Sequence, residues 1–199
     1  SSPMAPAPSV VVVGAGAIGL CTAFELHALG VRDVTVLEKR HVASASSGLA
    51  VGIIETQYLE RLPIAIRAYA MGFFAWLERE ARLPITRNGY LRLGHAPADL
   101  EAFARSVEIQ HELGVADATI LDRDEIARRI PELVLGDILG GLFGPSDGFV
   151  DPALTCTVIA GLLKDRGVEI RQRTELVGAD DAPDGGLILR TTRGELRCT

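Results

Sequence analysis

The sequence is sparing in several residue patterns, and each absence excludes something. Its three cysteines, Cys21, Cys156 and Cys198, lie far apart and none sits in a CxxC pair, so neither a zinc set nor a disulfide framework is indicated. Cys21 and Cys156 fall in predicted helices and read as buried, inert thiols. There is no basic run and the formal net charge is -6, which makes nucleic acid or an anionic membrane a poor partner. No apolar stretch approaches the ~20 residues needed to span a bilayer. The glycines and charges around Val10 to Leu29 do not suit a signal peptide. A soluble, cytoplasmic protein acting on a small molecule is expected. His27, His41, His95 and His111 show neither metal spacing nor a paired nucleophile, so no metal site is expected and the histidines are read as exposed. Asp180-Asp181 reads as a solvated loop. No residue stands out as a general base, and the catalytic residue is unknown. There is no internal repeat.

What is present is concentrated between residues 9 and 40, SVVVVGAGAIGLCTAFELHALGVRDVTVLEKR. Val10 to Val13 are continuous and β-branched, as in a parallel strand buried on both faces. Gly14, Gly16 and Gly19 form GxGxxG. The first glycine permits the sharp turn, the second lets a pyrophosphate approach the backbone, and the third lets helix and strand pack closely. The phosphates would then meet a helix N-terminus, where N–H groups and the helix dipole favour negative charge. Ala17 to Leu29 is apolar nearly all round, as a buried crossover helix should be, and Gly30 stops it. Val34 to Leu37 form the next strand. Glu38 follows nineteen positions after Gly19, the separation at which a carboxylate accepts hydrogen bonds from adenosine ribose hydroxyls and disfavours a 2′-phosphate. GxGxxG alone is weak; strand, helix and carboxylate in register make a dinucleotide site.

Further along, residues 1–8 read as a disordered tail and His41 to Gly52, HVASASSGLAVG, as a loop leaving the ligand edge of the sheet. Pro63 to Glu80 has an amphipathic period, with Ile66, Ala70, Phe73, Phe74 and Leu77 on one face; Trp76 and the two Phe read as core. Asn88-Gly89 before YLRL predicts a turn and strand, and Ala98 to Leu113 a helix. Asp122 with Glu125 resembles a capping box. Gly140 to Val150 reads as a strand and hairpin. Asp151-Pro152 starts a helix with a stripe of Leu154, Val158, Ile159, Leu162 and Leu163, which Gly167 ends. Val168 to Ile170 is a strand returning to the first sheet. Gly186 to Cys198 is a hairpin around Arg193-Gly194. The expected fold class is α/β: a Rossmann-like domain with a parallel sheet, from 9–60 and 151–199, with 61–150 as part of an inserted α+β domain.

In VVVVGAGAIGL with LEKR, SASSGLAVGIIETQY, NGYLRLG and GGLFGPSDGFVDP, taken in that order, the chain resembles the FAD-dependent amino-acid and amine oxidases, the group of D-amino-acid oxidase, glycine oxidase and sarcosine oxidase. The resemblance implies FAD as cofactor, an FAD-binding domain at 9–60 and 151–199, and a substrate domain at 61–150. It places Gly14, Gly16, Ala17, Ile18 and Gly19 along the pyrophosphate. Glu38 falls on the ribose, and Lys39 and Arg40 near the adenine. Ser46, Ser47 and Gly48 fall on the phosphates and ribityl chain, Leu49, Ala50, Val51 and Gly52 beside the isoalloxazine, and Val177 at the adenine. It implies oxidation of the C–N bond of an amino acid or secondary amine, with Gln57, Tyr58 and Tyr90 as candidate substrate-side groups.

Two departures stand beside it. Members of the sarcosine oxidase type often carry a basic residue where this chain has Glu55. The segment that would follow GELRCT, with the substrate-gripping Arg and Tyr, is missing, so the chain resembles an N-terminal half with an unfinished edge at Leu196 to Thr199, and a complementary C-terminal chain or segment is an expected partner. Two rival readings remain: a nicotinamide-dependent dehydrogenase with the same fingerprint, and a non-catalytic nucleotide-binding subunit or fragment.

Overall fold

A computed structural model describes residues 8–183 and 185–199. Residues 1–7 of the predicted tail lie outside the described residues; Pro8 is exposed coil. In chain order the elements are β1 (Ser9–Val13), α1 (Ala17–Ala28), β2 (Asp33–Leu37), α2 (Ser46–Leu49), β3 (Ile53–Ile54), α3 (Arg61–Ala81), β4 (Ile85–Thr86), β5 (Tyr90–Gly94) and α4 (Pro97–Glu112). There follow β6 (Thr119–Asp122), α5 (Arg123–Arg129), β7 (Gly140–Gly144), β8 (Gly148–Val150), α6 (Pro152–Asp165), β9 (Glu169–Arg171), β10 (Leu176–Asp181), β11 (Leu187–Thr191) and β12 (Gly194–Cys198). They divide into two compact units: Ser1–Val51 with Asp151–Thr199, and Gly52–Val150.

The first unit is built on a parallel sheet of order β1-β2-β9, with Val10 facing Val34, and Val36 facing Ile170. Helix α1 buries Leu20, Ala23 and Phe24, and α6 buries Cys156, Ile159, Ala160 and Leu163. Each fully buried Leu or Ile contributes about 1.5–3 kcal/mol. The Asp151 carboxylate accepts from Leu154 N–H at 2.9 Å, and Pro152 follows at the first turn, so α6 starts where cap and proline chemistry place it. Leu154 itself is exposed; in the first turn it falls off the stripe that meets the sheet. β1 is half-buried rather than enclosed, with Val13 58% exposed, because it is the edge strand of this three-stranded sheet. An antiparallel sheet of order β10-β11-β12 completes the unit. Asp180 lies in β10 and pairs with Arg190 of β11 at 3.0 Å, so Asp180-Asp181 is strand and not loop. The end of β12 is tied down: Thr199 N–H donates to the Ser9 carbonyl and Ser9 N–H to Thr199 Oγ1.

The second unit carries two antiparallel sheets, β3-β8-β4 and β5-β7-β6. β7 and β8 join different sheets, so the predicted hairpin over Gly140 to Val150 does not form. Each strand finds a longer or better-placed partner in distant residues: β7 pairs fully with β5, and β8 with β3 and β4. Leu121, Ile126 and Ile138 centre a core joined by Leu91, Leu93 and Phe143. Asp122 caps α5 reciprocally with Glu125, at 2.8 and 2.9 Å, the predicted capping box. Residues 52–60 belong to this unit, ahead of the boundary read near residue 60, because Ile53 and Ile54 pair with Phe149 and Gly148.

Candidate functional site

The first unit forms a cleft of about 430 Å³ where the C-terminal ends of β1 and β2 open. Gly14 takes φ +106° there, a conformation that favours glycine. Its N–H donates to the Leu37 carbonyl at 2.7 Å, locking the turn to the neighbouring strand. A side chain on Gly16 would come within 2.9 Å of Ser47 Oγ. On Gly19 it would run into the Gly14 carbonyl and reach Val12 at 3.4 Å. The three glycines therefore separate in role: backbone conformation, approach of a neighbouring loop, and helix-to-strand contact.

Glu38 closes the cleft opposite this turn. Its carboxylate accepts from Ala15 N–H at 3.0 Å and from Arg40 N–H at 2.8 Å. Each oxygen keeps lone-pair capacity for another donor. The neighbouring backbone fixes its position, since Glu38 N–H donates to the Arg171 carbonyl and the Glu38 carbonyl accepts from Thr174 N–H, both at 2.9 Å. Gly14, Gly16, Glu38, Lys39 and Arg40 thus line one cleft, with Val13, Leu37, Ser44, Ala45, Thr174, Glu175 and Leu176. The last three were not singled out in the sequence; nothing in TEL marks it before β9 is known to lie beside β2.

The other residues named from the sequence fall around the cleft or away from it. Ser46, Ser47 and Gly48 form the short α2 inside what was read as a loop, stabilised because Ser47 Oγ accepts from Ala17 N–H at 2.9 Å. A side chain on Gly48 would run into the Ala43 carbonyl. Gly19 begins the buried side of α1, while Ile18 is exposed. The first-turn N–H groups of Ile18 and Gly19 have no intrahelical acceptor. Leu49, Ala50 and Val51 are exposed, with Leu49 at 85%. Gly52 belongs to the second unit, where its carbonyl accepts from Val150 N–H. Val177 does not line the cleft. It is the one residue of β10 without a facing partner in β11, at a register shift between Leu176 and Gly178.

These features suit an adenine dinucleotide. The cleft is open where a Cβ would fill it, has ribose-type acceptors at Glu38 and cationic side chains at Lys39 and Arg40, and leads to a helix N-terminus. The sequence profile of the DAO family, described as FAD dependent oxidoreductase, matches residues 9–199. The chain belongs to this family. It is 30% identical to sarcosine oxidase subunit beta of Rhizobium meliloti (strain 1021) over 202 residues, covering 97% of this chain and 48% of that one. It is 26% identical to the mitochondrial sarcosine dehydrogenase of Homo sapiens over 89% of this chain and 20% of that protein. Among solved structures, L-proline dehydrogenase from P. horikoshii superposes with a TM-score of 0.86 at 25% identity, covering 98% of this chain and 51% of that one. This family member thus spans about half the length of two of these relatives and about a fifth of the third. FAD is the family's cofactor, and among the described residues no cluster of His, Cys, Asp or Glu could hold a metal ion. Nor is any helix among them long and apolar enough to cross a membrane.

The second unit contains a buried polar cluster that the sequence reading missed. Gln57 Nε2 donates to Asp147 Oδ2 at 2.8 Å, Gln110 Nε2 donates to Gln57 Oε1 at 3.0 Å, and Thr56 Oγ1 donates to Gln110 Oε1 at 2.9 Å. Asp147 is only 2% exposed. Burial pushes its carboxyl up to about 6, against the lowering effect of the Gln57 and Thr56 hydrogen bonds. The available signal was Ser106 and Gln110, one helical turn apart on the face of α4 that carries Phe103. Gln57, named from the sequence as a substrate-side candidate, is buried in this cluster. Tyr58 and Tyr90 line a separate cavity of about 570 Å³ with Glu55 and Arg67. Cys21 and Cys156 both have thiols raised by burial, Cys21 to about 11, which keeps them protonated and poorly nucleophilic.

Proposed function

We propose that this chain holds FAD in the glycine-lined cleft, and that the protein containing it oxidises the C–N bond of an N-substituted α-amino acid. The observation that carries the cofactor assignment is the Glu38 carboxylate, held against the GxGxxG turn by the Ala15 N–H at 3.0 Å. Glu38 would accept the ribose hydroxyls with its remaining lone pairs. The Ile18 and Gly19 N–H groups would meet the pyrophosphate, with Gly16 and Ala17 beside them, and Lys39 and Arg40 would flank the adenine end. Ser46, Ser47 and Gly48 would lie on the ribityl side, and Leu49, Ala50, Val51 and Gly52 beside the ring. Val177 would offer backbone groups from the irregular position of β10. Exposed Leu49 and Val51 are consistent with waiting for an apolar ligand.

When bound, FAD would supply the acceptor for a hydride equivalent from the carbon bearing nitrogen, leaving an imine that water hydrolyses. The protein's part is to bind the amine neutral, orient its C–H bond and exclude water. The amine class is supported by relatives whose names give sarcosine and proline as substrates, both N-substituted amino acids. Because those relatives are longer, we infer that turnover also needs a complementary segment equivalent to their remainder.

The test is spectroscopic. Full-length protein is expected to purify with visible flavin bands that bleach anaerobically with sarcosine or L-proline. Glu38→Ala is expected to weaken FAD retention about tenfold or more, the scale of a lost hydrogen bond to a charged group. A colourless wild-type protein that takes up no added FAD would overturn the cofactor assignment.

A further inference from the structure

The first unit has a second cavity, of about 380 Å³, between α6 and the loop that follows β2. His41 and Val42 line it from the loop, Thr157, Gly161 and Lys164 from α6, and Gln172 from just past β9. No carboxylate lines it, in a chain with 26 acidic residues against 20 lysines and arginines. Gly161 is a residue that folding does not ask for. It sits inside α6, where glycine is less stable than alanine. Its backbone is not left-handed, and a Cβ there would meet nothing within 4 Å. Neither conformation nor close packing requires it. What it leaves is open space over α6, with Thr157 four residues before and Lys164 three residues after on the same face. The groups around that space are mostly donors. Among the described residues, neither the Lys164 ammonium nor the His41 ring has a hydrogen-bond or ion-pair partner. Gln172 Oε1 accepts from Val42 N–H at 3.0 Å, which fixes the amide and leaves both donors of Nε2 unused. The loop is held as well, since Ala43 N–H donates to the Ala15 carbonyl at 3.0 Å. Lys164 in the last turn of α6 would by itself be an ordinary helix-end cation. An unpaired ammonium, an imidazole and an amide with two spare donors around one carboxylate-free cavity make an anion site.

We propose that this cavity binds a phosphate group, free or as a small monoester, with Lys164, His41 and Gln172 donating to its oxygens and Gly161 admitting it against α6. Donors from three separate chain segments suit a tetrahedral group, whose oxygens point several ways, better than the two coplanar oxygens of a carboxylate, and lysine serves a phosphate as a point charge. Thr157 Oγ1 donates to the Ala153 carbonyl at 2.8 Å, so it offers the ligand an acceptor, suited to a protonated phosphate oxygen or a hydroxyl of the ester. The site is distinct from the glycine-lined cleft. The same loop serves both without overlap: Lys39, Arg40, Ser44 and Ala45 line the cleft, and His41 and Val42 line this cavity. The proposal does not rest on amine oxidation and stands or falls separately from it.

The experiment is calorimetric titration of full-length protein, loaded with FAD so that the cleft is filled, with inorganic phosphate, ribose 5-phosphate and acetate. Phosphate or its ester is expected to bind wild type with a dissociation constant of about 1 mM or below, and acetate at least about tenfold more weakly. Lys164→Met is expected to weaken phosphate binding about 10- to 100-fold, the scale of a lost hydrogen bond to a charged group. Gln172→Glu keeps the acceptor for Val42 N–H but replaces the spare donors by negative charge, and is expected to weaken it at least as much. Gly161→Leu, whose side chain would occupy the cavity, is expected to abolish binding. FAD content should stay constant in Lys164→Met and Gly161→Leu, since neither residue lines the cleft. Phosphate binding tighter than the ester identifies the free anion as ligand, and the reverse order a monoester; either upholds the site. Failure of both to bind wild type, acetate binding as tightly as phosphate, or an affinity unchanged in Lys164→Met and Gly161→Leu overturns it. If Gly161→Leu does not fold, unchanged affinity in Lys164→Met and Gln172→Glu does so.

Discussion

At the scale of single residues, the chain uses small side chains where backbone must approach backbone and buried polar ones where a turn must be held. Gly19→Ala puts a methyl group into the Gly14 carbonyl, so α1 must shift from β1. A loss of about 1–3 kcal/mol in urea denaturation, together with reduced flavin retention, is expected. Gly161→Ala is the control: it lies inside α6 facing open space and should gain about 0.5–1 kcal/mol from helix propensity. Asp147 gives a pH dependence. Its folded carboxyl is raised to about 6 from 3.8, so the native state binds the proton more tightly than the unfolded chain. The stability this contributes is full below pH about 4 and is lost as pH rises through about 6, by at most about 3 kcal/mol. The difference in urea midpoint between wild type and Asp147→Asn should follow that slope between pH 4 and 7; a pH-independent difference would contradict it. The glycine spacing was legible in the sequence because each glycine answers a local steric demand. Asp147 was not, because its burial comes from Gln57 and Gln110, which are distant in sequence.

Among the elements, helix starts were the most legible. Asp151 and Asp122 each cap the helix predicted after them, since a cap needs only the next three residues. Asp151→Ala should destabilise by about 1 kcal/mol, with Asp151→Asn retaining most of it, measured by chemical denaturation. Helix faces were less legible. Ile66 belongs to the apolar period of α3 but is 58% exposed and borders the cavity, because a helix facing a cavity shows the same period as one facing a core. Strand partners were least legible: β7 and β8 are adjacent in sequence yet enter different sheets, a choice made by pairing energies over long range.

For the whole molecule, the chain organises as one unit from two separated segments and a second from the continuous stretch Gly52–Val150. The second begins and ends in paired strands, with Ile53 facing Phe149 and Val150 N–H donating to the Gly52 carbonyl. Residues 52–150 excised alone are expected to fold, with a single cooperative urea transition and native-like far-ultraviolet circular dichroism; residues 1–51 alone are not, since β9 and α6 come from the second segment.

The sequence by itself determined the glycine turn, the carboxylate of Glu38 held beside it and the family, because strand, glycines, helix and Glu38 are bound by short-range geometry that a linear spacing can encode. Only the tertiary structure decided that Thr174 to Leu176 complete the cleft, that Asp147 is buried, and that Lys164 shares a cavity with His41 and Gln172. Those arrangements depend on contacts between residues far apart in the chain, whose closure entropy and packing are settled together and leave no local pattern to read.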